Sequence, residues 1–302
     1  MNITNKPVGF DDKLQHSIEL LRKSEALALR YNNNGFYLAF SGGKDSQALY
    51  YVTQLAGVKY ESHYHLTTLD PPELVHFIKK EYPNVIIDRP ELTFAQLCLK
   101  KKALPTMLMR FCCAVLKESK GENTITLTGV RRQESVQRSH RNETEIITRR
   151  KKDRFTGTFG QFDQFTRSKE VEGVQCVRGK DKIVINPIIN WLEADVWYLL
   201  NEVVHANHCE LYDRGWKRIG CLFCPMAREK EVIRQGTLYP KYKDIILRTI
   251  HRLRENGYVN KYKDLTDEEI FEWWISKEKL EKWYYNHKVQ MQLFDMNEFK
   301  KI

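Results

Sequence analysis

One stretch of the chain, residues 36–46 (FYLAFSGGKDS), constrains the fold more than any other. An apolar run ends abruptly at a polar turn that contains two adjacent glycines, and a helix-compatible run follows at once. The pattern predicts a strand, a glycine turn and a helix. Adjacent glycines allow positive φ and close approach of the backbone. A helix that begins here directs unpaired N–H groups and the positive end of its dipole at the turn, so the stretch predicts an anion-binding site.

The residue types within the turn suit phosphate. Lys44 adds a point charge, the two serines add hydroxyl donors, and Asp45 is placed to hold Mg²⁺. The alternative is an exposed glycine turn that binds nothing. The G-x-x-x-x-G-K-[ST] spacing of a Walker A loop is absent. The residues expected to bind a ligand through this turn are Ser41, Gly42, Gly43, Lys44, Asp45 and Ser46.

The S-G-G-K-D-S run after an apolar strand resembles the pyrophosphatase loop (PP-loop) of the ATP-pyrophosphatase and PAPS-reductase superfamily. Members with this loop bind ATP, transfer AMP to a substrate and release pyrophosphate. The reductase branch uses a related loop to hold an adenylyl sulfate. The resemblance therefore implies an adenine nucleotide as ligand, either ATP with Mg²⁺ or adenylyl sulfate or PAPS.

Strand-like and helix-like segments alternate along most of the chain, which predicts a parallel sheet with helices on both faces. We expect an α/β protein with a doubly wound, mainly parallel sheet of the adenine nucleotide alpha hydrolase-like type. We predict an N-terminal helix in residues 1–35 and a nucleotide-binding domain in residues 36–242, with a basic insertion at about 139–182. Residues 243–302 are expected to form a small helical appendage. Strands are expected at 37–40, 60–69, 85–87, 124–130 and 183–185.

Two further segments fall at predicted carboxyl ends of strands, where ligands bind in such sheets. The first, TTLDPPE, resembles a PAPS-reductase-like segment that approaches the nucleoside, which implies roles for Thr68 and Asp70. Its alternative is that Asp70 caps the helix expected at 74–81.

The second segment matches the superfamily pattern G-x-R-x-x-E-S-x-x-R and follows the strand expected at 124–130. Guanidinium groups there can hold phosphate or sulfate in bidentate fashion. The alternative is a solvated basic loop. The candidate anion-binding residues are Arg131, Arg132, Ser135 and Arg138.

Four of the seven cysteines form an adjacent pair, Cys112-Cys113, and a C-x-x-C, Cys221 and Cys224. Two neighbouring thiolates fit poorly on one tetrahedral zinc but can reach different irons of a cubane. The arrangement resembles the 4Fe–4S site of adenylyl-sulfate reductases and of iron–sulfur members of the PAPS-reductase-like group. Structural zinc and no metal are the alternatives. Cys98, Cys176 and Cys209 stand alone, which is typical of packed thiols.

The formal net charge of +10 suits anionic partners, nucleotide first and nucleic acid second. In the basic insertion, a run of cations precedes Phe155, Phe159, Phe162 and Phe165. This pattern fits either a nucleic-acid strand or a twisted β-hairpin with a charged outer face. No apolar run approaches the roughly 20 residues of a membrane span. We expect a cytoplasmic protein with no membrane partner. The sequence is compatible with a monomer or an oligomer.

These features together predict an enzyme that adenylates a substrate oxygen, releases pyrophosphate and so allows sulfur insertion. Arg131, Arg132 and Arg138 would clamp anionic groups, and Lys44 would neutralise charge on the transferred phosphoryl group. The first alternative is a sulfonucleotide reductase with a thioredoxin-like reductant. No cysteine follows Cys224, so the reductase motif E-C-G-(L/I)-H has no counterpart. The second alternative is a nucleotide- and nucleic-acid-binding module without turnover. The sulfur donor is not specified by the sequence.

Overall fold

The computed structural model describes residues 5–118, 120–121, 124–147, 154–168 and 182–289. These residues form two compact units. The first unit is built from segments within 1–66, 70–89 and 116–220, and the second from 67–69, 90–115 and 221–302.

The first unit is organised around a seven-stranded sheet in the order β3-β2-β1-β4-β7-β5-β6. The five strands from β3 to β7 in this order pair in parallel, and β5 and β6 add an antiparallel edge. The predicted mainly parallel sheet is therefore confirmed. The strands are β1 Phe36–Phe40, β2 Tyr60–His65, β3 Ile86–Asp88, β4 Ile125–Leu127, β5 Thr144–Ile147, β6 Phe155–Gly157 and β7 Lys182–Ile185.

Strand β1 lies at the point where the strand order reverses. It pairs with β2 on one side, Phe36 opposite Tyr60, and with β4 on the other, Leu38 opposite Leu127. Connections leave such a pair of strands in opposite directions, which opens a crevice at their carboxyl ends. Residues 41–46 follow β1 directly and so lie at this switch point.

Helices pack on the sheet because their apolar residues recur with helical spacing. The apolar side chains of Trp191, Val196 and Leu200, for example, are each at most 1% exposed. The helices of the first unit are α1 Phe10–Tyr31, α2 Lys44–Ala56, α3 Pro72–Glu81, α6 Val136–Ser139, α7 Phe159–Ser168 and α8 Glu193–Tyr198. Those of the second are α4 Phe94–Lys101, α5 Phe111–Leu116, α9 Glu229–Leu238, α10 Pro240–Glu255, α11 Asp267–Ser276 and α12 Leu280–Tyr284.

Two strands are shorter than the sequence predicted. β2 ends at His65 rather than at residue 69, and Thr68 has a left-handed φ of 65°, which no extended strand accommodates. β4 covers only Ile125–Leu127. The N-cap residue of α3 is Pro71, so Asp70 lies one position before the cap, and its capping role stays a prediction.

The basic insertion contributes to the sheet itself. β5 and β6 form the predicted hairpin, and β5 also pairs with β7. The phenylalanines pack on one another: the rings of Phe155 and Phe162 are 5.6 Å apart, and Phe162 is 2% exposed. These rings therefore form a small core rather than an open stacking surface. The cations at 149–152 and Cys176 lie outside the described residues.

The second unit is helical in its described part. Thr266 accepts a hydrogen bond from the Glu269 N–H and forms a capping box at the start of α11. Trp274 is buried and donates its indole N–H to the Pro105 carbonyl at 2.7 Å, and Trp283 is also buried. Both indole side chains therefore serve packing within this unit. Among the helices that the structure describes, none is long and apolar enough to cross a bilayer.

A partly buried polar network crosses β1, β2 and β3. The Tyr37 hydroxyl is hydrogen-bonded to Nε2 of His65, and Nδ1 of His63 lies 2.9 Å from a carboxylate oxygen of Asp88. Nδ1 of His65 lies 3.8 Å from the same oxygen. Burial lowers the pKa of His65 to about 4, although Asp88 acts in the opposite direction. The folded protein therefore holds His65 in its neutral form.

The low pKa of His65 predicts acid sensitivity. An unfolded chain takes up this proton near pH 6.5 and the folded chain only near pH 4, so the stabilisation is lost as pH falls between these values. We expect the free energy of unfolding of the wild type to drop by about 2–3 kcal/mol relative to His65→Gln between pH 7 and pH 4. Urea unfolding across this range measures it. The exposed His76→Gln is the control, and parallel pH curves for wild type and His65→Gln would contradict the prediction.

Candidate functional site

The turn after β1 has the geometry that the sequence predicted. Gly42 has a φ of 71°, and Gly43 is the N-cap of α2 without a side-chain cap. A Cβ on Gly42 would lie 2.6 Å from Leu74 Cδ1 and 2.8 Å from Ile78 Cδ1. Glycine is thus required at position 42 both for its backbone conformation and for space. The first turn of α2, whose first N–H groups have no partner within the helix, begins directly after Gly43.

Hydrogen bonds of Ser41 and Ser46 stabilise the turn. The Ser46 hydroxyl accepts a hydrogen bond from the Ser41 N–H at 3.1 Å and donates to the Gly43 carbonyl at 2.8 Å. The Ser41 hydroxyl donates to the Ser46 hydroxyl at 3.0 Å. The Ser46 side chain therefore fixes the turn, and its position at the base of α2 is set by these local bonds.

The backbone that follows β4 touches the first turn of α2. A Cβ on Gly129 would lie 2.7 Å from the Asp45 carbonyl oxygen, so only glycine permits this approach. Gly129 is the first residue of the G-x-R-x-x-E-S-x-x-R pattern, but this contact could not be read from the pattern alone. The signal was present, because this glycine lies within the strand predicted at 124–130, and a glycine inside a strand often marks the close approach of another backbone segment.

Lys44 is 5% exposed and its ammonium group lies among oxygens. Nζ is 3.4 Å from Glu193 Oε1 and 3.9 Å from Asp45 Oδ2, and it donates to the Lys217 carbonyl at 3.3 Å. The backbone N–H of Lys44 donates to the Tyr212 hydroxyl at 2.8 Å. Sequence reasoning missed Glu193 and Tyr212, since nothing local relates them to the turn.

Asp45 and Arg131, both predicted site residues, form an ion pair. Arg131 Nε donates to Asp45 Oδ1 at 2.6 Å, and Arg131 is 3% exposed. The same guanidinium donates to Gln133 Oε1 at 3.1 Å and to the Trp191 carbonyl at 3.4 Å. This pair joins the loop after β4 to α2 beside the turn.

The other members of the arginine pattern bind protein acceptors. Arg132 donates from Nε to the Arg141 carbonyl at 3.0 Å, from NH2 to Asn142 Oδ1 at 2.8 Å, and from NH1 to Asn190 Oδ1. Arg138 pairs with Glu134, and the exposed Ser135 caps α6 by accepting from the Arg138 N–H. These contacts make Arg132 a link between loops, and its role as an anion clamp stays a prediction.

Thr68 and Asp70 fall in different compact units. The Thr68 hydroxyl, in the second unit, accepts a hydrogen bond from the Phe94 N–H at 2.9 Å and so serves the first turn of α4. Asp70, in the first unit, is 5% exposed. Their predicted roles beside a nucleoside stay untested.

The four candidate metal ligands lie in the second unit, with Cys112 and Cys113 on α5 and Cys221 and Cys224 before α9. A hydrogen bond with the Cys113 thiol raises the pKa of Cys112, and burial and the nearby Cys221 raise it further. Within the described ranges, no group of three or more histidine, cysteine, aspartate or glutamate side chains is arranged to hold a metal ion. The donor set suits a thiolate-bound centre, but the iron–sulfur prediction is not established by this geometry.

A model of the phosphoadenosine phosphosulfate reductase domain matches residues 35–227, more than half of the chain. The chain belongs to this family. The match covers β1, the turn at 41–46, the arginine pattern and all four candidate metal ligands. The predicted PAPS-reductase-like relationship is therefore confirmed, as is the fold class.

Among similar proteins is an uncharacterised protein, MJ0973, of Methanocaldococcus jannaschii, 29% identical over 76% of this chain and 53% of its own length. The adenosine 5'-phosphosulfate reductase of Oceanobacillus iheyensis is 28% identical over 50% of this chain and 54% of its own. The chain spans about half the length of the curated relatives it matches. A solved phosphoadenylyl-sulfate reductase of Candida auris aligns at 18% identity, covering 73% of this chain and 98% of the other, with a TM-score of 0.42.

Proposed function

We propose that the protein binds ATP with Mg²⁺ through residues 41–46 and transfers AMP to an acceptor oxygen. The observation that carries this proposal is the turn itself. Gly42 in a left-handed conformation leads into the uncapped N-terminus of α2, and the buried Lys44 adds a cation there. Backbone N–H groups and a helix N-terminus suit the phosphates of a nucleotide. Membership of the phosphoadenosine phosphosulfate reductase family supports an adenine nucleotide as the ligand.

In the proposed reaction an acceptor oxygen attacks the α-phosphorus and the bond to the β-phosphate oxygen breaks. Pyrophosphate leaves with the electron pair, held by the N–H groups of the turn, and Lys44 offsets the negative charge that develops. The adenylated oxygen is then a good leaving group for a sulfur nucleophile. The formal net charge of +10 favours a nucleic acid as the acceptor, because nucleic acids are polyanions.

A second candidate is reduction of adenylyl sulfate or PAPS to sulfite. The similarity to an adenosine 5'-phosphosulfate reductase favours it, as does the proximity of Cys112 to Cys113 and Cys221. Cys98 and Cys209 count against it, because both are fully buried and burial raises the pKa of each thiol, so neither offers an accessible nucleophile.

In either reaction a 4Fe–4S cluster would be held by Cys112, Cys113, Cys221 and Cys224, and would supply iron-bound thiolate and sulfide chemistry. Structural zinc on the same thiols is the alternative. Anaerobic purification with iron, sulfide and zinc analysis separates the two. About four irons per chain would support the cluster, and one zinc would assign these cysteines a structural role.

The direct test of the reaction incubates the purified chain with Mg²⁺ and ATP in the presence of cellular RNA or DNA, and in parallel with adenylyl sulfate and a dithiol. We expect pyrophosphate from ATP. Sulfite would favour the reductase, and nucleotide binding without either product would indicate a binding module.

Lys44→Met should weaken ATP binding at least about tenfold, since it removes a charge-assisted contact. The exposed Lys79→Met is the matched control, and equal ATP affinity of both variants would contradict the role of Lys44.

A further inference from the structure

We propose that Tyr212 is a phosphate-binding residue of the site at residues 41–46, whose hydroxyl donates to an anionic oxygen of the ligand. This inference rests on the proposed nucleotide-binding function and extends it. The Tyr212 oxygen accepts the Lys44 N–H at 2.8 Å and would lie 3.5 Å from a Cβ on Gly43. The phenol oxygen thus lies beside Gly43 and in contact with the first N–H of α2.

The position of the phenol is fixed from several sides. Its ring packs edge-on against Trp197, with centroids 5.2 Å apart and an interplanar angle of 85°. The Tyr212 N–H donates to the Cys209 carbonyl at 3.0 Å, and the Gly215 N–H donates to the Tyr212 carbonyl at 3.0 Å. A donor held in this way loses little conformational freedom when it binds a ligand, which makes it effective in recognition.

The hydroxyl retains a proton to donate. Burial raises the pKa of Tyr212, so the phenol is neutral near pH 7. Its hydrogen bond in the described part of the chain uses the oxygen as acceptor and leaves the O–H proton available. A hydroxyl that accepts from a helix N-terminal N–H is polarised toward donating more strongly, because hydrogen bonds in a chain reinforce one another.

The surroundings of the phenol also suit an anion rather than an uncharged ligand group. The Lys44 ammonium lies 5.8 Å from the centre of the Tyr212 ring, so its charge and the phenol proton reach the same small region. An oxygen bound there would meet one neutral O–H, the N-terminal amides of α2 and the Lys44 ammonium, a cation that it would share with the carboxylates of Glu193 and Asp45. This combination fits the terminal phosphates of ATP, or free pyrophosphate.

The experiment is calorimetric titration of the full chain and of Tyr212→Phe with sodium pyrophosphate and with ATP–Mg²⁺. Loss of a hydrogen bond to a charged group should weaken both ligands about tenfold to a hundredfold. Urea unfolding without ligand checks that the variant is folded. Tyr60→Phe is the matched control: its hydroxyl, at the amino end of β2, interacts with Tyr50 and Gln54. That variant should bind both ligands like the wild type.

The possible outcomes distinguish the role of Tyr212 from the proposed nucleotide-binding function. Equal pyrophosphate affinity of Tyr212→Phe and wild type would overturn the role of Tyr212 while leaving nucleotide binding intact. Tighter binding by Tyr212→Phe would also overturn it, because the phenol oxygen would then compete with the ligand for the Lys44 N–H. A wild type that binds neither pyrophosphate nor ATP would refute the proposed function itself.

Discussion

Gly42→Ala is expected to lower the free energy of unfolding by about 2–5 kcal/mol. A non-glycine residue in the left-handed region costs roughly 1–2 kcal/mol, and overpacking of a filled core costs roughly 1–3 kcal/mol. Both apply at this position, where φ is 71° and a Cβ would lie 2.6 Å from Leu74 Cδ1. Leu74 and Ile78 are buried, so they cannot move aside into solvent.

Urea unfolding of Gly42→Ala measures this cost, and Gly160→Ala is the matched control. A Cβ on Gly160, near the start of α7, would meet nothing within 4 Å, so its free energy of unfolding should change by no more than about 1 kcal/mol. If both variants unfold at the same denaturant concentration, Leu74 and Ile78 accommodate the methyl group and the turn tolerates a side chain.

Asp45→Asn is expected to destabilise the protein by about 2–4 kcal/mol, because it leaves the Arg131 guanidinium buried without its carboxylate. Breaking a buried ion pair by removing one partner typically costs 3–5 kcal/mol, and the partial exposure of the Asp45 side chain, 21%, reduces this value. Asp45 also lies in the first turn of α2, where a negative charge is favourable.

The control for Asp45→Asn is Glu210→Gln, which removes the carboxylate of the exposed pair with Arg214 and should cost under about 1 kcal/mol. The double variant Asp45→Asn/Arg131→Met should recover part of the loss, since no uncompensated buried charge remains. Equal costs for Asp45→Asn and Glu210→Gln, or a fully additive double variant, would show that the pair contributes no more than a surface contact.

The ion pair between Asp45 and Arg131 involves the carboxylate that is predicted to bind Mg²⁺. Asp45 Oδ1 accepts a hydrogen bond from Arg131 Nε, and Asp45 Oδ2 lies 3.9 Å from Lys44 Nζ. A metal ion bound by Asp45 would share that carboxylate with both cations. Mg²⁺ dependence of ATP binding in Asp45→Asn, measured beside the wild type, tests whether this carboxylate holds the metal.

Local sequence determined the elements that carry the site. The strand, glycine turn and helix at 36–56 follow from apolar residues, adjacent glycines and helix-forming residues in direct succession. The α4 and α11 helices also depend on local signals, since each begins after a threonine whose side chain caps it. Such signals involve residues within a few positions of one another, so they do not depend on the rest of the fold.

Only the tertiary structure decided which partners the site residues have. The hydroxyl bound to the Lys44 N–H comes from Tyr212, far along the chain, and Arg131 meets Asp45 because β4 lies beside β1. The neighbouring Arg132 is equally basic but falls at a variable position of the family pattern, and its donors bind loop oxygens. Strand order and loop approach set these pairings, and neither is encoded in the spacing of residues near the turn.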